Sequence, residues 1–353
     1  MRCTFPWTGM LIDPAGYLTL CCAIKGSGQG KYFGGVHIDD VDDLTEFFNG
    51  PQYTQARKDF EWGYEYVPEC IECTLQNKNG QRPAAKGSHI FDNSNRQKGK
   101  VQYLEYTTSN VCNQKCVMCS SKFSTQWADI ESIFGRNPYP TQSLSDKSID
   151  KIIKILPDLQ QIHVKGGEPF ADMKNLRVLE ALAEVNPKCK VTMTTNASMI
   201  PKKFIEFFKK IENANLVASI DGLGKRYEWI RGSSWEKTED NMKRFAQETG
   251  KLFSVFPTVS VYNIKHWKVI DDWVKMKCGK VTLATTWTNP VTNPKWASPK
   301  YCMTQEEIDA CELPFKIKSE YDPMYVKQHI EYTQKMNEIR GFMIDSAVNT
   351  KGI

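Results

Sequence analysis

The alternation of apolar and polar residues divides the chain into a short cysteine-bearing part and a longer repetitive part. From Val101 onward, short apolar runs alternate with longer runs whose apolar residues recur at helical spacing. This alternation predicts βα units and a parallel sheet. The predicted strands cover 101–108, 160–165, 190–195, 216–220, 253–261 and 280–286.

Helices predicted between these strands complete six βα repeats. The helix predicted at 235–248 follows Ser233-Ser234, whose hydroxyl groups are able to cap its first turn. The chain becomes rich in Pro and Lys from about 291 and helical from 304, which predicts a C-terminal helical extension at 291–353. The other predicted helices cover 121–135, 145–156, 172–185, 201–211 and 266–276.

One predicted strand carries two titratable side chains on a single face. His163 and Lys165 alternate with Ile162 and Val164. If the apolar pair faces the helices, His163 and Lys165 point inward. Partners in the core are the expected environment for both, and contact with a substrate is the alternative.

The first part, residues 1–95, predicts a small module. Met10–Ile12 and Tyr17–Leu20 flank Asp13-Pro14-Ala15-Gly16, a turn sequence, and this arrangement predicts a β-hairpin. Helical spacing then begins near Val41 and breaks at Asn49-Gly50-Pro51. The polar stretch from 80 to 98 is typical of a linker.

Composition limits the class of protein. The chain has 353 residues, 41% of them hydrophobic and 25% charged, which predicts a soluble protein with one large and one smaller domain. A net charge of +5 without a long basic run does not indicate nucleic acid as a partner. No apolar stretch approaches the roughly 20 residues that span a bilayer, and the first residues lack a signal-peptide core. We therefore expect a cytoplasmic protein without membrane contact.

The cysteines are concentrated near the start of the chain. Eight of the twelve lie in the first 119 residues. Because the cytosol keeps thiols reduced, this clustering favours metal ligation over disulfides. The four that stand alone are expected to be ordinary thiols: Cys189, Cys278, Cys302 and Cys311.

The sequence Cys112-x3-Cys116-x2-Cys119 follows the first predicted strand of the repeats. Structural zinc sites have four nitrogen or sulfur ligands, whereas this loop supplies three thiols. A [4Fe-4S] cluster held by three cysteines keeps one iron open to another ligand. The spacing resembles that of the radical S-adenosylmethionine (SAM) superfamily. Gly166-Gly167-Glu168-Pro169, one βα unit later, strengthens the resemblance.

The resemblance implies a fold and a reaction. The fold is a partial (β/α)6 TIM-like barrel at 96–290, with functional residues at the carboxyl ends of its strands. The reaction is reductive cleavage of SAM at the cluster, which gives a 5′-deoxyadenosyl radical that takes hydrogen from a substrate. An electron donor such as flavodoxin or ferredoxin is implied. The residues implied to contact SAM are Met118, Gly166, Gly167, Glu168, Pro169, Asn196, Ser219, Asp221 and Arg231.

The N-terminal cysteines resemble the auxiliary-cluster modules called SPASM and twitch. The matching positions are Cys3, Gly16, Cys21 and Cys70-x2-Cys73. The resemblance implies a second [4Fe-4S] cluster held by Cys3, Cys21, Cys70 and Cys73, with Cys21 preferred to its neighbour Cys22 by the glycine spacing. In most such enzymes the module follows the barrel, whereas here it precedes the barrel.

Alternatives remain open at the level of sequence. Both cysteine sets would also suit a zinc-ribbon binding protein without catalysis, and SAM also serves other enzymes as a methyl donor. Family members with auxiliary modules often modify peptides or proteins, so a peptide or protein is the first expected substrate. A small sugar or nucleoside is the alternative.

Overall fold

The computed structural model describes residues 3–22, 35–78, 98–251, 253–277 and 290–349. The strand predicted at 280–286, Cys278 and most of the linker predicted at 80–98 lie outside the described residues. Within the described ranges, no helix is both long enough and apolar enough to cross a membrane.

The strands form one sheet in the order β2-β1-β3-β4-β5-β6-β7. β2 is antiparallel to β1, whereas the pairs β1–β3, β3–β4, β4–β5 and β6–β7 are parallel. Across the described residues the sheet does not close, so the α/β fold with a partial barrel is confirmed. The strands are β1 (Gly9–Ile12), β2 (Leu18–Thr19), β3 (Tyr103–Thr107), β4 (Gln161–Lys165), β5 (Lys190–Thr195), β6 (Ala214–Ala218) and β7 (Phe253–Val255).

Helices separate these strands and continue beyond the last one. Ser234 accepts a hydrogen bond from Lys237 N, which confirms the predicted cap of the helix that begins at Trp235. The α-helices are α1 (Phe5–Thr8), α2 (Leu44–Asn49), α3 (Pro51–Asp59), α4 (Ile71–Lys78), α5 (Ala128–Ile133), α6 (Asp146–Ile155), α7 (Met173–Val185), α8 (Lys202–Lys210), α9 (Gly224–Arg231), α10 (Trp235–Thr249), α11 (Trp267–Lys277), α12 (Pro299–Cys302), α13 (Gln305–Asp309) and α14 (Pro323–Arg340).

Some elements differ from their predicted extent. The helix predicted at 121–135 is confined to α5, Ala128–Ile133, preceded by a single 3-10 turn at Thr125–Trp127. The strand predicted at 253–261 ends at Val255, shortly before Pro257, which has no N–H to donate to a neighbouring strand. Helix α9 was not predicted. It has only eight residues, begins at Gly224 and has no side-chain cap, so the sequence carries no clear signal for its start.

The predicted hairpin forms, and its first strand also joins the barrel sheet. Leu11 of β1 pairs with Glu105 of β3 in a parallel register. Tyr53 of α3 donates a hydrogen bond to Gly9 O at 2.9 Å, so the helix that follows the hairpin packs on the same strand. The pairing of β1 with β3 was not predicted, because it joins segments about ninety residues apart and has no local sequence signal.

The chain divides into two compact units. The first unit comprises Met1–Asn113, Ser121–Thr195 and Ile200–Asn215, and the second comprises Gln114–Ser120, Asn196–Met199 and Leu216–Ile353. The domain boundaries predicted at 95 and 290 stay predictions.

Candidate functional site

In the first unit, the turn after β4 lies directly against the backbone that leads to Cys112. Gly167 N donates to Ser109 O at 3.2 Å and Glu168 N donates to Val111 O at 2.8 Å. A Cβ atom on Gly167 would lie 2.2 Å from Val111 O, closer than real Cβ contacts. Only glycine therefore fits at Gly167 without moving the backbone.

Glu168 anchors this turn through its buried carboxylate. Oε1 accepts hydrogen bonds from Phe170 N at 3.1 Å and from Thr195 Oγ1 at 2.7 Å. The side chain thus connects the turn after β4 to the end of β5. A direct contact of Glu168, Gly166, Gly167 or Pro169 with SAM stays a prediction.

Buried polar groups hold the backbone on both sides of the cysteine loop. Asn110 donates to Ser121 O at 3.0 Å and accepts from Gln142 N at 2.8 Å. Ser121 in turn donates through its backbone N, at 3.2 Å, and its hydroxyl group to the carboxylate of Glu131. Cys112, two residues after Asn110, is buried. Sequence reasoning missed these supporting residues, because nothing in their spacing distinguishes them from surface polar residues.

In the second unit, the remaining part of the cysteine loop is held by α9 and the residues after it. Val117 N donates to Ile230 O at 2.8 Å, and Cys119 N donates to Cys116 O at 2.9 Å, which closes a turn. Gln114 is buried and donates to Tyr227 OH at 3.0 Å, and its Oε1 lies 3.5 Å from Cys116 Sγ. Met118 is partly exposed, and its contact with SAM stays a prediction.

Two of the predicted SAM contacts pair with each other. Arg231 Nη1 donates to Asp221 Oδ2 at 3.0 Å, and the side chains are 11% and 0% exposed. Burial raises the pKa of the Cys116 thiol, while the positive charges of Arg231 and Arg340 act to lower it. The structure therefore places a buried ion pair next to a predicted cluster ligand. Contact of Asp221 or Arg231 with SAM stays a prediction.

The other two predicted contacts have different environments. Asn196 Oδ1 accepts hydrogen bonds from Ser198 N at 2.9 Å and from Ser198 Oγ at 2.7 Å, a local turn. Ser219 directly follows β6 and is partly exposed. Neither observation tests a role in binding SAM.

The N-terminal thiols share one buried region of the first unit. Cys3, Cys70 and Cys73 are all buried. The pKa of Cys70 is raised to about 12, first by burial and then by the nearby thiols of Cys3 and Cys73. Burial raises the pKa of Tyr64, and negative charge on the same three cysteines raises it further. Burial makes free thiolates unfavourable at these positions. A bound metal displaces the thiol protons and compensates the thiolate charge, so buried clustered thiols suit a metal centre.

Within the described residues, no group of three or more His, Cys, Asp or Glu side chains is already arranged to hold a metal ion. The donor set nevertheless fits iron–sulfur chemistry, because soft thiolates are the ligands that such clusters prefer.

For the fourth N-terminal ligand, Cys21 stays the prediction and its neighbour Cys22 the alternative. The sequence spacing predicts Cys21, which is partly exposed. Burial of the thiol, followed by the charge of Glu105, raises the pKa of Cys22 to about 11, and the charge of Cys73 adds a smaller contribution, although the residue as a whole is exposed. The charge of Cys73 is among these causes, so Cys22 stays the alternative to Cys21.

Single substitutions distinguish the two thiols. From the glycine spacing we expect Cys21→Ala to lose about four iron atoms per chain, one [4Fe-4S] cluster, and Cys22→Ala to retain them. Iron analysis after anaerobic purification measures this, with Cys70→Ala as the reference for a lost auxiliary cluster. Loss of iron in Cys22→Ala alone would instead identify Cys22 as the ligand.

The comparisons with known proteins agree with the motifs. Residues 106–274 match the family model of the radical SAM superfamily, and residues 3–74 match SPASM, an iron–sulfur cluster-binding domain. The chain belongs to the radical SAM superfamily and carries a SPASM-type module on the N-terminal side of its barrel. Its cofactors are SAM, the [4Fe-4S] cluster that binds SAM, and an auxiliary [4Fe-4S] cluster. Both matched families bind iron–sulfur clusters, which favours clusters over zinc.

Curated relatives match only part of the chain. The chain is 28% identical over 129 residues to GTP 3′,8-cyclase of Mannheimia succiniciproducens, which covers 35% of this chain and 34% of that protein. It is 23% identical over 105 residues to the same enzyme of Campylobacter lari, covering 29% and 30%. The matched region therefore spans about a third of these relatives.

Two solved structures align with part of the chain. SuiB of Streptococcus suis bound to SAM has a TM-score of 0.42 and 18% identity, covering 82% of this chain and 53% of that chain. The structure of anSMEcpe with bound AdoMet has a TM-score of 0.43 and 16% identity, covering 69% and 63%.

Proposed function

We propose that the protein cleaves SAM reductively at a cluster held by Cys112, Cys116 and Cys119 and takes a hydrogen atom from a polar substrate, in the first instance a peptide or protein. The observation that supports a polar substrate is the inner face of β3–β5 in the first unit. This face borders both the Gly166–Pro169 turn and the N-terminal cysteines.

Side chains alternate between two unlike faces along these strands. Leu104, Ile162 and Val164 lie fully buried on one face. The face opposite these three residues is polar. This is unusual, because the interiors of such barrels are commonly filled by branched apolar side chains. The residues paired across the strands on this face are Tyr103, Glu105, Thr107, Gln161, His163, Lys165, Lys190 and Thr192. Thr194 joins them through its contact with His163.

An ion pair lies at the centre of the polar face. Lys165 Nζ donates to Glu105 Oε1 at 2.9 Å, and Tyr103 OH donates to Glu105 Oε2 at 3.0 Å. Burial, followed by the charge of Lys165, lowers the pKa of His163 to about 3, so this imidazole is neutral at pH 7. His163 Nε2 lies 2.9 Å from Thr194 Oγ1. Both titratable residues therefore have the core partners expected from sequence.

This face borders the two predicted cofactor regions. Lys165 directly precedes Gly166 in the chain. Lys165 and Glu105 both lie close enough to Cys22 to shift its pKa, Glu105 upward and Lys165 downward. Cys22 belongs to the segment that carries the auxiliary thiols. The Lys165 side chain is 34% exposed, so its ion pair with Glu105 is not fully enclosed. A group held against Lys165 would therefore lie near both regions.

The charge of this face indicates the kind of substrate group that it accepts. Lys165 and Glu105 compensate each other, and His163 is neutral, so the centre of the face offers hydrogen bonds without net charge. The one further charged member, Lys190, is exposed at the start of β5. Peptide amides and hydroxyl groups suit such a surface. When bound, the cluster and SAM supply the radical, and these side chains orient the group next to the C–H bond that reacts. The partial match to GTP 3′,8-cyclase favours a nucleoside or sugar as the alternative.

The first experiment measures the products from SAM. Anaerobically purified protein is incubated with SAM and dithionite, and 5′-deoxyadenosine is the expected product. A brown protein with about eight iron atoms per chain, as for two [4Fe-4S] clusters, is expected. S-adenosylhomocysteine as the sole product would indicate methyl transfer, and a colourless zinc protein would exclude the radical reaction.

The ion pair of the inner face is testable without a substrate. Lys165→Met leaves Glu105 charged and buried, and we expect a destabilisation of about 2 kcal/mol, less than for a fully buried pair because Lys165 is partly exposed. The double variant with Glu105→Gln should recover most of this loss. The thermal unfolding midpoint under anaerobic conditions measures both effects.

The control is Lys209→Met, which breaks the exposed pair between Lys209 and Glu206. Because exposed pairs contribute little, the midpoint should change much less than in Lys165→Met. Equal midpoints for Lys165→Met and Lys209→Met would contradict a special role of the inner-face pair.

A further inference from the structure

The C-terminal helix α14 lies outside both family-matched ranges, yet in the second unit it contacts the cysteine loop. Tyr332 OH donates to Val117 O at 3.2 Å. Arg340 donates to Lys115 O through Nη2 and to Trp229 O, at 2.8 Å, through Nε. The helix therefore binds the loop backbone on both sides of Cys116.

Helix α14 is itself firmly anchored in the second unit. Trp229 Nε1 donates to Asn337 Oδ1 at 2.9 Å, and the Trp296 ring stacks on the Tyr332 ring at a centroid distance of 3.7 Å. Val326 and Met336 are fully buried. A helix fixed in this way holds Arg340 in place, rather than leaving its side chain to move in solvent.

Gly232 provides the space that Arg340 occupies. Its φ angle is +73°, and a Cβ atom there would lie 2.8 Å from Arg340 Nη2. Any other residue at this position would adopt an unfavourable conformation and push against the guanidinium group. Two separate features of the fold thus fix the same arginine beside the loop.

The charges around Cys116 are not balanced. Arg231 and Arg340 both act on the thiol of Cys116 through their positive charge. The charge of Arg231 is compensated by Asp221, whose Oδ2 lies 3.0 Å from Arg231 Nη1. In the described part of the chain, Arg340 makes no ion pair with a carboxylate, and its hydrogen bonds end on backbone carbonyl groups. One positive charge is therefore left over at Cys116.

We propose that Arg340 is a positioning residue for the SAM cluster. Its hydrogen bond to Lys115 O holds the cysteine loop in place, and its positive charge raises the midpoint potential of the cluster. The inference rests on the proposed ligation by Cys116. Reduction adds a negative charge to a cluster, so a nearby positive charge favours the reduced form. Charges and hydrogen bonds around the ligands are established means of setting such potentials.

Two substitutions of Arg340 separate its charge from its hydrogen bonds. Arg340→Gln keeps N–H donors for the carbonyl groups but removes the charge, and Arg340→Lys keeps the charge. The matched control is Arg226→Gln, because Arg226 also donates to a backbone carbonyl, Tyr262 O at 2.5 Å, yet is not among the charges that shift the pKa of Cys116. Tyr332→Phe removes one loop hydrogen bond without changing charge.

The measurement is a redox titration followed by electron paramagnetic resonance, which detects the reduced cluster. The signal of the SAM cluster is the one that changes when SAM is added. Arg340→Gln should make reduction about tenfold less favourable, a shift of about −59 mV for one electron. Arg340→Lys should restore most of this shift. Arg226→Gln and Tyr332→Phe should leave the potential unchanged, and iron content is measured in every variant.

The outcomes separate this inference from the proposed function. An unchanged potential in Arg340→Gln, or equal shifts in Arg340→Gln and Arg340→Lys, would overturn the role of the charge. Should Arg340→Gln lose the cluster iron, Arg340→Lys decides. If Arg340→Lys keeps both the iron and the original potential, the inference is supported; if both variants lose the iron, it is overturned. Absence of a SAM-sensitive signal from the unsubstituted protein would overturn the proposed function itself.

Discussion

Replacing Cys116 by alanine is expected to abolish the formation of 5′-deoxyadenosine. The substitution removes one of three proposed protein ligands, and the remaining two thiols hold a [4Fe-4S] cluster poorly. We expect the rate to fall at least about 100-fold, the upper end of the losses caused by residues that only support a ligand. Anaerobic assays with SAM and dithionite measure the rate, and iron analysis should show the loss of the SAM cluster alone.

The control for this prediction is Cys302→Ala. Cys302 is a buried cysteine in the second unit, and its thiol donates to Trp296 O at 3.3 Å. Because this thiol has a hydrogen-bonded place in the core and belongs to neither cysteine motif, cleavage should continue in the variant. Equal activity of Cys116→Ala and the unsubstituted protein would exclude Cys116 as a ligand.

Replacing Gly167 by alanine is expected to weaken SAM binding at least tenfold, which corresponds to about 1.4 kcal/mol. The new Cβ atom would lie 2.2 Å from Val111 O and 2.8 Å from Asn110 C. These atoms belong to the backbone, so the collision cannot be relieved by a side-chain rotation. Equilibrium dialysis with labelled SAM measures the affinity.

Gly250→Ala is the matched control. Gly250 has a φ angle of +68° after α10, and a Cβ atom there would meet nothing within 4 Å. The variant therefore has a backbone cost of about 1–2 kcal/mol for the left-handed conformation, without a collision. Similar affinities for SAM in both variants would show that the close approach of Gly167 to Val111 does not matter for binding.

Much of the fold was predictable because the signals are local. The alternation of His163 and Lys165 with Ile162 and Val164 marks β4, and Ser234 marks the start of α10. The cysteine loop and the Gly166–Pro169 turn were identified from short spacings within a few residues. In each case neighbours in the sequence are also neighbours in the structure, so the pattern contains the information.

The supporting contacts were not predictable, because their partners are far apart in the chain. Arg340 bonds to Lys115 O across 225 residues, and nothing around either residue indicates the other. The same holds for Asn110 with Gln142, where a buried amide has the sequence appearance of a surface residue. The choice between Cys21 and Cys22 likewise depends on which thiol lies near Cys73.

The parallel pairing of β1 with β3 makes the N-terminal cysteine segment a structural part of the sheet and not an attached cassette. A shortened protein that begins at the predicted boundary near residue 95 would expose the whole edge of β3, the strand that leads into Cys112. Unpaired strand edges promote association between chains. Transfer of this segment to another barrel would therefore require the receiving sheet to offer a free edge in the same register.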